Sequence, residues 1–368
     1  MIAERLRQIR ILNHYTVEDV ATCIGVTKQA VSKYETGRAV PSSDILTRII
    51  DYYELPAGYL QKSVEEDVEC SELFYRRGQR TSKRELEDAQ IRLKWYYEIL
   101  LACNETVSVP AVDLPHFEED WSIKKKADVL RMHWGLQHDP ITNIAEIMTT
   151  HGIQLFTATL MNTEIDGYSQ IVGEYPIIIL NQSKGSRARK NFSLAHELGH
   201  LLLHCGKKLA DGAQLEAEAD CFAAEFLMPE EELRRDIIQI NTESLRMLGD
   251  KWHVSPQSVL ERCIRLGYLE QQEEVRRAHK QYLLRKLNES KNYYVPEEEP
   301  VCSIRQALKD IDEDEVEREK FLKSVCFPIP MMRQFFQMPG LFEQWENKSD
   351  SADELEGVQL TLQFEDEG

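Results

Sequence analysis

The chain has 368 residues, 42% of them hydrophobic and 29% charged, a composition typical of a globular protein with two or three domains. It contains no run of about 18 apolar residues, and its first residues are charged, which argues against a membrane span and a secretory leader. A formal net charge of −19 excludes a chain that is basic throughout. We therefore expect a cytoplasmic protein with no membrane partner.

The eight cysteines are scattered and include no CxxC pair. In a chain of this length that pattern indicates reduced thiols and does not support a Cys-rich structural zinc site. The acidic excess is also uneven, because the first sixty residues are near neutral and contain several Arg and Lys side chains. A local DNA-binding module therefore remains compatible with an acidic chain.

Residues 1–60 predict a compact all-α domain, with apolar positions recurring at helical spacing. Thr16 and Asp19 have the spacing of a capping box, with Asp in the place of Glu or Gln. The helix that follows ends at Gly25, and Thr27 begins the next short helix. Two short helices joined by a turn with glycine indicate a helix-turn-helix.

The segment Val17–Gly37 resembles the XRE helix-turn-helix of the Cro and lambda-repressor type. The resemblance is carried by Val20, Ala21, Gly25, Gln29, Ala30, Ser32 and the run Tyr34-Glu35-Thr36-Gly37-Arg38. It implies an operator DNA partner and a homodimer on paired half-sites. A recognition helix that enters the major groove from its N-terminal end presents its first residues to the bases. The residues expected at the DNA are Thr27, Lys28, Gln29, Ser32, Lys33 and Arg38.

Residues 61–120 are predicted to be a helical linker that contains one long helix, Lys83–Ala102. Residues 121–270 predict a second domain that mixes helices with short strands. Its three predicted strands are Ile153–Thr157, Gly167–Gly173 and Tyr175–Leu180. Residues 271–368 predict a mostly helical C-terminal region with an acidic tail, to which the sequence assigns no function.

His196 and His200 are four positions apart on a predicted helix that is rich in leucine. On a helix this spacing places both imidazoles on one face, where they can share a tetrahedral metal ion. Glu197 lies beside them and can reach a water bound to that ion. In an HExxH site the histidines hold zinc, zinc lowers the pKa of the water, and the glutamate takes its proton. The pattern therefore predicts a zinc peptidase site with Glu197 as the base.

A catalytic zinc site needs a third protein ligand, and a second predicted helix offers carboxylates. Glu216 and Asp220 are one turn apart on one face, which suits Glu216 as the ligand and Asp220 as a partner orienting a ligand histidine. Glu218 points elsewhere on the same helix and is the alternative ligand if the helical phase differs. Small residues on this helix favour its close approach to the first: Ala217, Ala219, Ala223 and Ala224.

The stretch Arg187–Pro229 resembles the ImmA/IrrE family of metallopeptidases through FSLAHELGHLLLH, EAEADCFAAEFLMP and the preceding PIIILN. The resemblance implies an α+β zincin-like domain of the gluzincin kind that uses Zn²⁺. It places His196, His200 and Glu216 as ligands and Glu197 as the base. The whole chain is then expected to be multidomain: an all-α helix-turn-helix domain, this α+β domain and a mostly helical C-terminal region.

A helix-turn-helix domain joined to a metallopeptidase-like domain predicts a DNA-binding regulator that cleaves a repressor or antitoxin-like protein. Peptidases of this kind hold an extended substrate along an edge strand, for which Tyr168–Gly173 is the candidate, or Tyr175–Leu180 if that strand lies at the edge. Two alternatives stay open from the sequence. One is a non-proteolytic DNA-binding repressor whose zincin-like domain is a sensor, and the other is a component of a toxin–antitoxin or phage-defence system.

Overall fold

The computed structural model describes residues 2–62, 82–106, 109–160, 165–182, 186–205, 212–270, 272–289, 303–336, 338, 340–343 and 345. These residues form two compact units. The first contains the described residues before Pro110 together with those from Ser303 onward, and the second contains those from Pro110 to Glu289. The predicted acidic tail, residues 346–368, lies outside the described residues.

Helices dominate both units, and the second unit also contains three strands. In chain order the elements are α1 (Ile2–Leu12), α2 (Val17–Ile24), α3 (Lys28–Glu35), α4 (Ser43–Tyr53), a 3₁₀ turn (Ala57–Leu60), α5 (Lys83–Asn104), α6 (Ile123–His133), α7 (Ile144–Thr150), β1 (Gln154–Ala158), β2 (Gly167–Val172), β3 (Tyr175–Asn181), α8 (Arg187–Leu203), α9 (Gly212–Leu227), α10 (Glu230–Asp236), α11 (Thr242–Trp252), α12 (Pro256–Arg265), α13 (Glu273–Glu289), α14 (Arg305–Glu313), α15 (Glu315–Val325) and α16 (Ile329–Phe336). None of the helices built from the described residues combines the length and the apolar character that a membrane crossing requires.

In the first unit, local capping sets the helix-turn-helix. Thr16 accepts a hydrogen bond from the Asp19 backbone N–H, and the Asp19 carboxylate accepts one from the Thr16 backbone N–H, so the predicted capping box is present. Gly25 ends α2 in the left-handed region, with φ 70°. Thr27 then caps α3 through its side chain. The turn between α2 and α3 is therefore specified by residues within it.

Helix α5 was predicted to lie in a linker, but it forms a core element of the first unit. Arg5 of α1 is fully buried and donates to both carboxylate oxygens of Glu98, at 3.1 and 2.9 Å. Trp95 of α5 is also fully buried and donates to Gln8 of α1. The partners of this helix come from distant parts of the chain and leave no local sequence signal.

The C-terminal helices pack in the same unit. The Phe327 ring stacks on Trp95 with ring centroids 4.1 Å apart, and Lys62 donates to the backbone carbonyls of Ser324 and Val325. The Arg5 guanidinium lies 5.8 Å from the centre of the Phe327 ring. Residues 271–368 were predicted as one region, but α13 belongs to the second unit and α14 to α16 belong to the first.

In the second unit, three strands form a sheet in the order β1-β3-β2. Strand β3 is central, parallel to β1 and antiparallel to β2. Every residue of β3 is buried, which agrees with its continuous apolar run. Because β3 is central, Tyr175–Leu180 is excluded as an edge strand, and among the strands of the described residues β2 lies at one end of the order.

Helices α8 and α9 pack closely beside this sheet. A Cβ atom built on Gly199 of α8 would lie 3.2 Å from the Ala219 Cα and 3.3 Å from the Phe222 Cβ of α9. Ala219 and Ala223 are fully buried, as expected for a close approach, whereas Ala217 is exposed. The small residues therefore bring the two helix backbones together at the level of the histidines.

The Arg5–Glu98 pair gives a prediction about the first unit. Arg5→Ala leaves Glu98 buried with Lys62 as its other cation, at 3.5 Å, and should destabilise the unit by about 3–5 kcal/mol. Hydrogen exchange of α1 and α5, followed by mass spectrometry on the full chain, should accelerate accordingly. Arg7→Ala is the control, because Arg7 is on the same helix and pairs with Glu87 at the surface; it should cost at most about 1 kcal/mol. Equal protection in both variants would contradict this account.

Candidate functional site

Helix α8 carries the HExxH segment on its buried side. His196, Glu197 and His200 have exposed fractions of 8%, 6% and 3%. Leu194, Leu198, Leu201 and Leu203 of the same helix fill the core of the second unit, so packing sets the rotation of the helix about its axis. The polar side chains consequently point into the protein interior, where each of them needs a partner.

The side chains of His196, His200 and Glu216 converge. The two imidazole Nε2 atoms are 3.0 Å apart, and each lies 3.5 Å from a different carboxylate oxygen of Glu216. One ligand atom from each residue lies within 4.8 Å of the others. Two imidazole nitrogens this close need a shared proton or a cation between them, and a carboxylate completes a set of donors with net negative charge.

Asp220 lies behind His196. Its Oδ1 is 2.8 Å from the Nδ1 of His196, and its Oδ2 is 3.8 Å from an Arg265 guanidinium nitrogen. Burial lowers the pKa of His196, but hydrogen bonds to Asp220 and Glu216 more than offset this effect and raise it to about 10. In the neutral ring that can bind a metal, an Nδ1–H held by Asp220 leaves the Nε2 lone pair directed towards His200 and Glu216.

Glu197 is held by a partner that sequence reasoning missed. The Ser169 hydroxyl of β2 lies 2.8 Å from the Oε2 of Glu197 and donates to it. Burial raises the pKa of Glu197, while the neighbouring His200 and His196 and the Ser169 hydrogen bond act in the opposite direction. The contact between Ser169 and Glu197 depends on how β2 packs on α8, and no local pattern in the sequence encodes it.

Glu216 and Glu218, the two candidates for the third ligand, have different partners in the structure. Burial raises the pKa of Glu216, but hydrogen bonds to His196 and His200 hold it well below its usual range. Glu218 instead contacts His204, with its Oε2 3.1 Å from the Nε2 of that histidine. Helix α9 therefore directs Glu216, rather than Glu218, to the two motif histidines.

These residues fit a zinc ion. Two imidazole nitrogens and one carboxylate are the donor set that catalytic zinc takes, with a remaining position for water. Asp220 supplies the hydrogen bond that such a histidine ligand normally makes through its other nitrogen. The fit to zinc is therefore judged from the types of donor atom and from the distances between them.

A pocket opens beside the three converging residues. It encloses about 440 Å³, including space open to solvent. Its lining consists of Ile165, Asp166, Gly167, Phe192, Ser193, His196, Glu197, His200, Glu216 and Asp220. Gly167 is the first residue of β2, so this strand of the sheet borders the pocket.

The helix-turn-helix presents a second candidate surface. Val31 is the buried residue of α3 and packs inwards, so the polar side of the helix faces solvent. The residues predicted to contact DNA all retain access to solvent: Thr27, Lys28, Gln29, Ser32, Lys33 and Arg38. Lys28 pairs with Glu18 at 3.1 Å on this exposed surface, an ion pair of small energy that a phosphate can displace.

Known protein families match both the helix-turn-helix region and the region that contains the converging histidines. Residues 6–60 match the family model described as Helix-turn-helix, and residues 148–263 match the model described as IrrE N-terminal-like domain, a peptidase family. The chain thus joins a helix-turn-helix domain, which is a DNA-binding fold, to a metallopeptidase-like domain of the IrrE type.

A named relative matches over a shorter stretch. It is YonR of Bacillus subtilis strain 168, described as an SPbeta prophage-derived uncharacterized HTH-type transcriptional regulator. The two are 29% identical over 74 residues, which is 20% of this chain and 68% of YonR. The expected resemblance to the XRE and ImmA/IrrE families is therefore confirmed.

Zinc binding can test whether Glu216 is the carboxylate that serves as the third ligand. Glu216→Gln should weaken zinc binding by more than about 100-fold, because a neutral amide replaces a charged donor, and this loss exceeds that expected for a residue that only orients a ligand. Competition with a chromophoric zinc chelator measures the affinity. Glu231→Gln, at an exposed position of the same unit, is the control and should bind zinc like the wild type. Unaltered affinity in Glu216→Gln would remove this residue from the metal site.

Proposed function

We propose that this protein is a transcriptional regulator that binds DNA through residues 1–60 and cleaves a protein through a zinc-dependent endopeptidase site in residues 121–270. The observation that carries the proposal is the convergence of His196, His200 and Glu216 in a pocket that also contains Glu197. A domain that only recognised a ligand would need a pocket, but it would not need a buried carboxylate beside the three donors.

Each side chain then has a defined task. His196, His200 and Glu216 hold Zn²⁺, with Asp220 orienting His196. The zinc ion, when bound, acidifies a water molecule and polarises the peptide carbonyl. Glu197 accepts the proton of that water and passes it to the amine that leaves. The Ser169 hydroxyl fixes one oxygen of Glu197 and leaves its other oxygen for this proton.

Strand β2 is the part of the sheet that suits an extended substrate. It is the last strand in the order of the described strands, Gly167 at its start borders the pocket, and Ser169 on it contacts the base. A peptide that pairs with this edge would lie beside the three donors. We propose a repressor or antitoxin-like protein as the substrate, since a DNA-binding domain in the same chain links the cleavage to gene control.

The peptidase proposal is tested with Glu197→Gln, which keeps the shape of the side chain and removes the base. Wild type and variant are first shown to hold equal amounts of zinc, and each is then incubated with candidate repressor or antitoxin proteins encoded near its gene. Cleavage should fall by at least about 100-fold in the variant. Glu231→Gln, a matched exposed carboxylate of the same unit, should cleave at the wild-type rate.

The same experiment decides between this function and a non-proteolytic regulator. The similarity to YonR, whose description names only regulation, favours the latter as the second candidate. If zinc-loaded wild type and Glu197→Gln leave every candidate protein intact while both still bind DNA, the peptidase function is lost and the sensor function stands.

The DNA-binding proposal is tested with two substitutions on the exposed surface. Gln29→Ala should relax the base preference at one operator position by about 1–3 kcal/mol, because a glutamine can pair with an adenine edge. Arg38→Ala should weaken binding to all sequences and lower the salt slope by about 1. Footprinting at several salt concentrations measures both effects, and paired half-sites about one helical turn apart would indicate the proposed homodimer.

Arg235→Ala is the control, since Arg235 is an exposed arginine of the second unit with 73% of its side-chain surface accessible. Its footprint should match that of the wild type. Identical footprints for Gln29→Ala and Arg38→Ala as well would contradict the assignment of α3 as the recognition helix.

A further inference from the structure

His204 is a buried histidine to which the proposed reaction gives no task. It caps the C-terminal end of α8, one turn after His200, and only 1% of it is exposed. Its Nδ1 lies 3.0 Å from the Nδ1 of His200, and its Nε2 lies 3.1 Å from the Oε2 of Glu218. His204 therefore connects a motif histidine to a carboxylate of α9.

The hydrogen-bonding chemistry of imidazole determines which nitrogen of His200 and of His204 carries the proton. The Nε2 of His200 faces His196 and Glu216, so a neutral His200 that uses Nε2 as a metal donor carries its proton on Nδ1. That Nδ1–H can only donate, and the Nδ1 of His204 must therefore accept. The proton of a neutral His204 then lies on Nε2, where the Glu218 carboxylate accepts it. One arrangement of protons thus satisfies both contacts.

The carboxylate at the end of the connection is itself held in place. The Gln214 side-chain amide donates to the Oε1 of Glu218 at 2.8 Å, which leaves Oε2 towards His204. Gln214 and Glu218 are one turn apart on α9, the helix that also carries Glu216. The helix that brings Glu216 to the histidines therefore supports His200 from its other side.

We propose that His204 and Glu218 are positioning residues that fix the tautomer and the ring orientation of His200, as Asp220 does for His196. The two motif histidines would then be held by different means: His196 directly by a carboxylate, and His200 through a second imidazole. This inference rests on the proposed metal site, and it gives Glu218 a role other than that of a ligand.

Zinc affinity, measured by chelator competition, tests the proposal. His204→Leu removes the acceptor for the His200 Nδ1–H and should weaken zinc binding by about 10–100-fold. His204→Gln should recover most of this loss, since its amide oxygen can accept from His200 and its amide N–H can donate to Glu218. Glu218→Gln should weaken binding less than His204→Leu does, because the amide oxygen still accepts. Wild-type affinity in His204→Leu would overturn the proposal.

Matched controls are available in the same unit. His138, with 64% of its side chain exposed, is replaced by Leu, and the exposed Glu231 is replaced by Gln. Both variants should bind zinc like the wild type. A wild-type protein that binds no zinc would remove the proposed function together with this inference, whereas tight zinc binding that is insensitive to His204 removes the inference alone.

A measurement on the wild-type protein tests the proposal even if the His204→Leu variant does not fold. The ¹⁵N chemical shifts of the imidazoles in zinc-loaded full-length wild type report which nitrogen of each ring carries the proton. We expect His200 protonated on Nδ1 and His204 protonated on Nε2. A His204 ring protonated on Nδ1, or on both nitrogens, would contradict the proposed order of protons.

Discussion

The close approach of α8 and α9 is the constraint on which the site depends. Gly199 lies between the two motif histidines in sequence, and its missing side chain lets the Ala219 backbone pass at van der Waals distance. Glu216 and Asp220, on either side of Ala219, are thereby carried to His196 from opposite directions. Even a Cβ atom at position 199 would lie 3.2 Å from the Ala219 Cα, so α9 would have to shift by a few tenths of an ångström and move both carboxylates with it, although the motif itself would be unchanged.

The site concentrates ionisable groups in a pocket that is partly buried and partly open to solvent. Two imidazoles and four carboxylates line it, and burying such groups costs free energy unless each has a partner. The protein meets this requirement with paired contacts: Asp220 with His196, Ser169 with Glu197, and Glu218 with His204. Such paired contacts hold the side chains in fixed orientations, as the proposed metal site requires.

The sequence predicts those features of the structure that depend only on neighbouring residues. Thr16, Gly25 and Thr27 specify the helix-turn-helix because capping involves only neighbouring residues. The phase of α9 favoured Glu216 over Glu218, since one face of a helix repeats every turn. Ser169 was missed because its contact with Glu197 joins separate elements. His204 lies one turn after His200, but its contact with Glu218 joins α8 to α9 and has no local sequence signal. Helix α5 was misplaced in a linker for the same reason, as its partners lie near both ends of the chain.

The route of the chain through the first unit has a consequence for biosynthesis. Lys62 binds carbonyls of residues made much later, and Ser324 follows it by 262 positions. At about 5–20 residues per second, a ribosome needs roughly 13–50 s to cover that distance. During this interval α1 and α5 can pair through Arg5 and Glu98, while Trp95 still lacks Phe327. The core of the first unit therefore stays incomplete until the whole metallopeptidase-like domain has been synthesised.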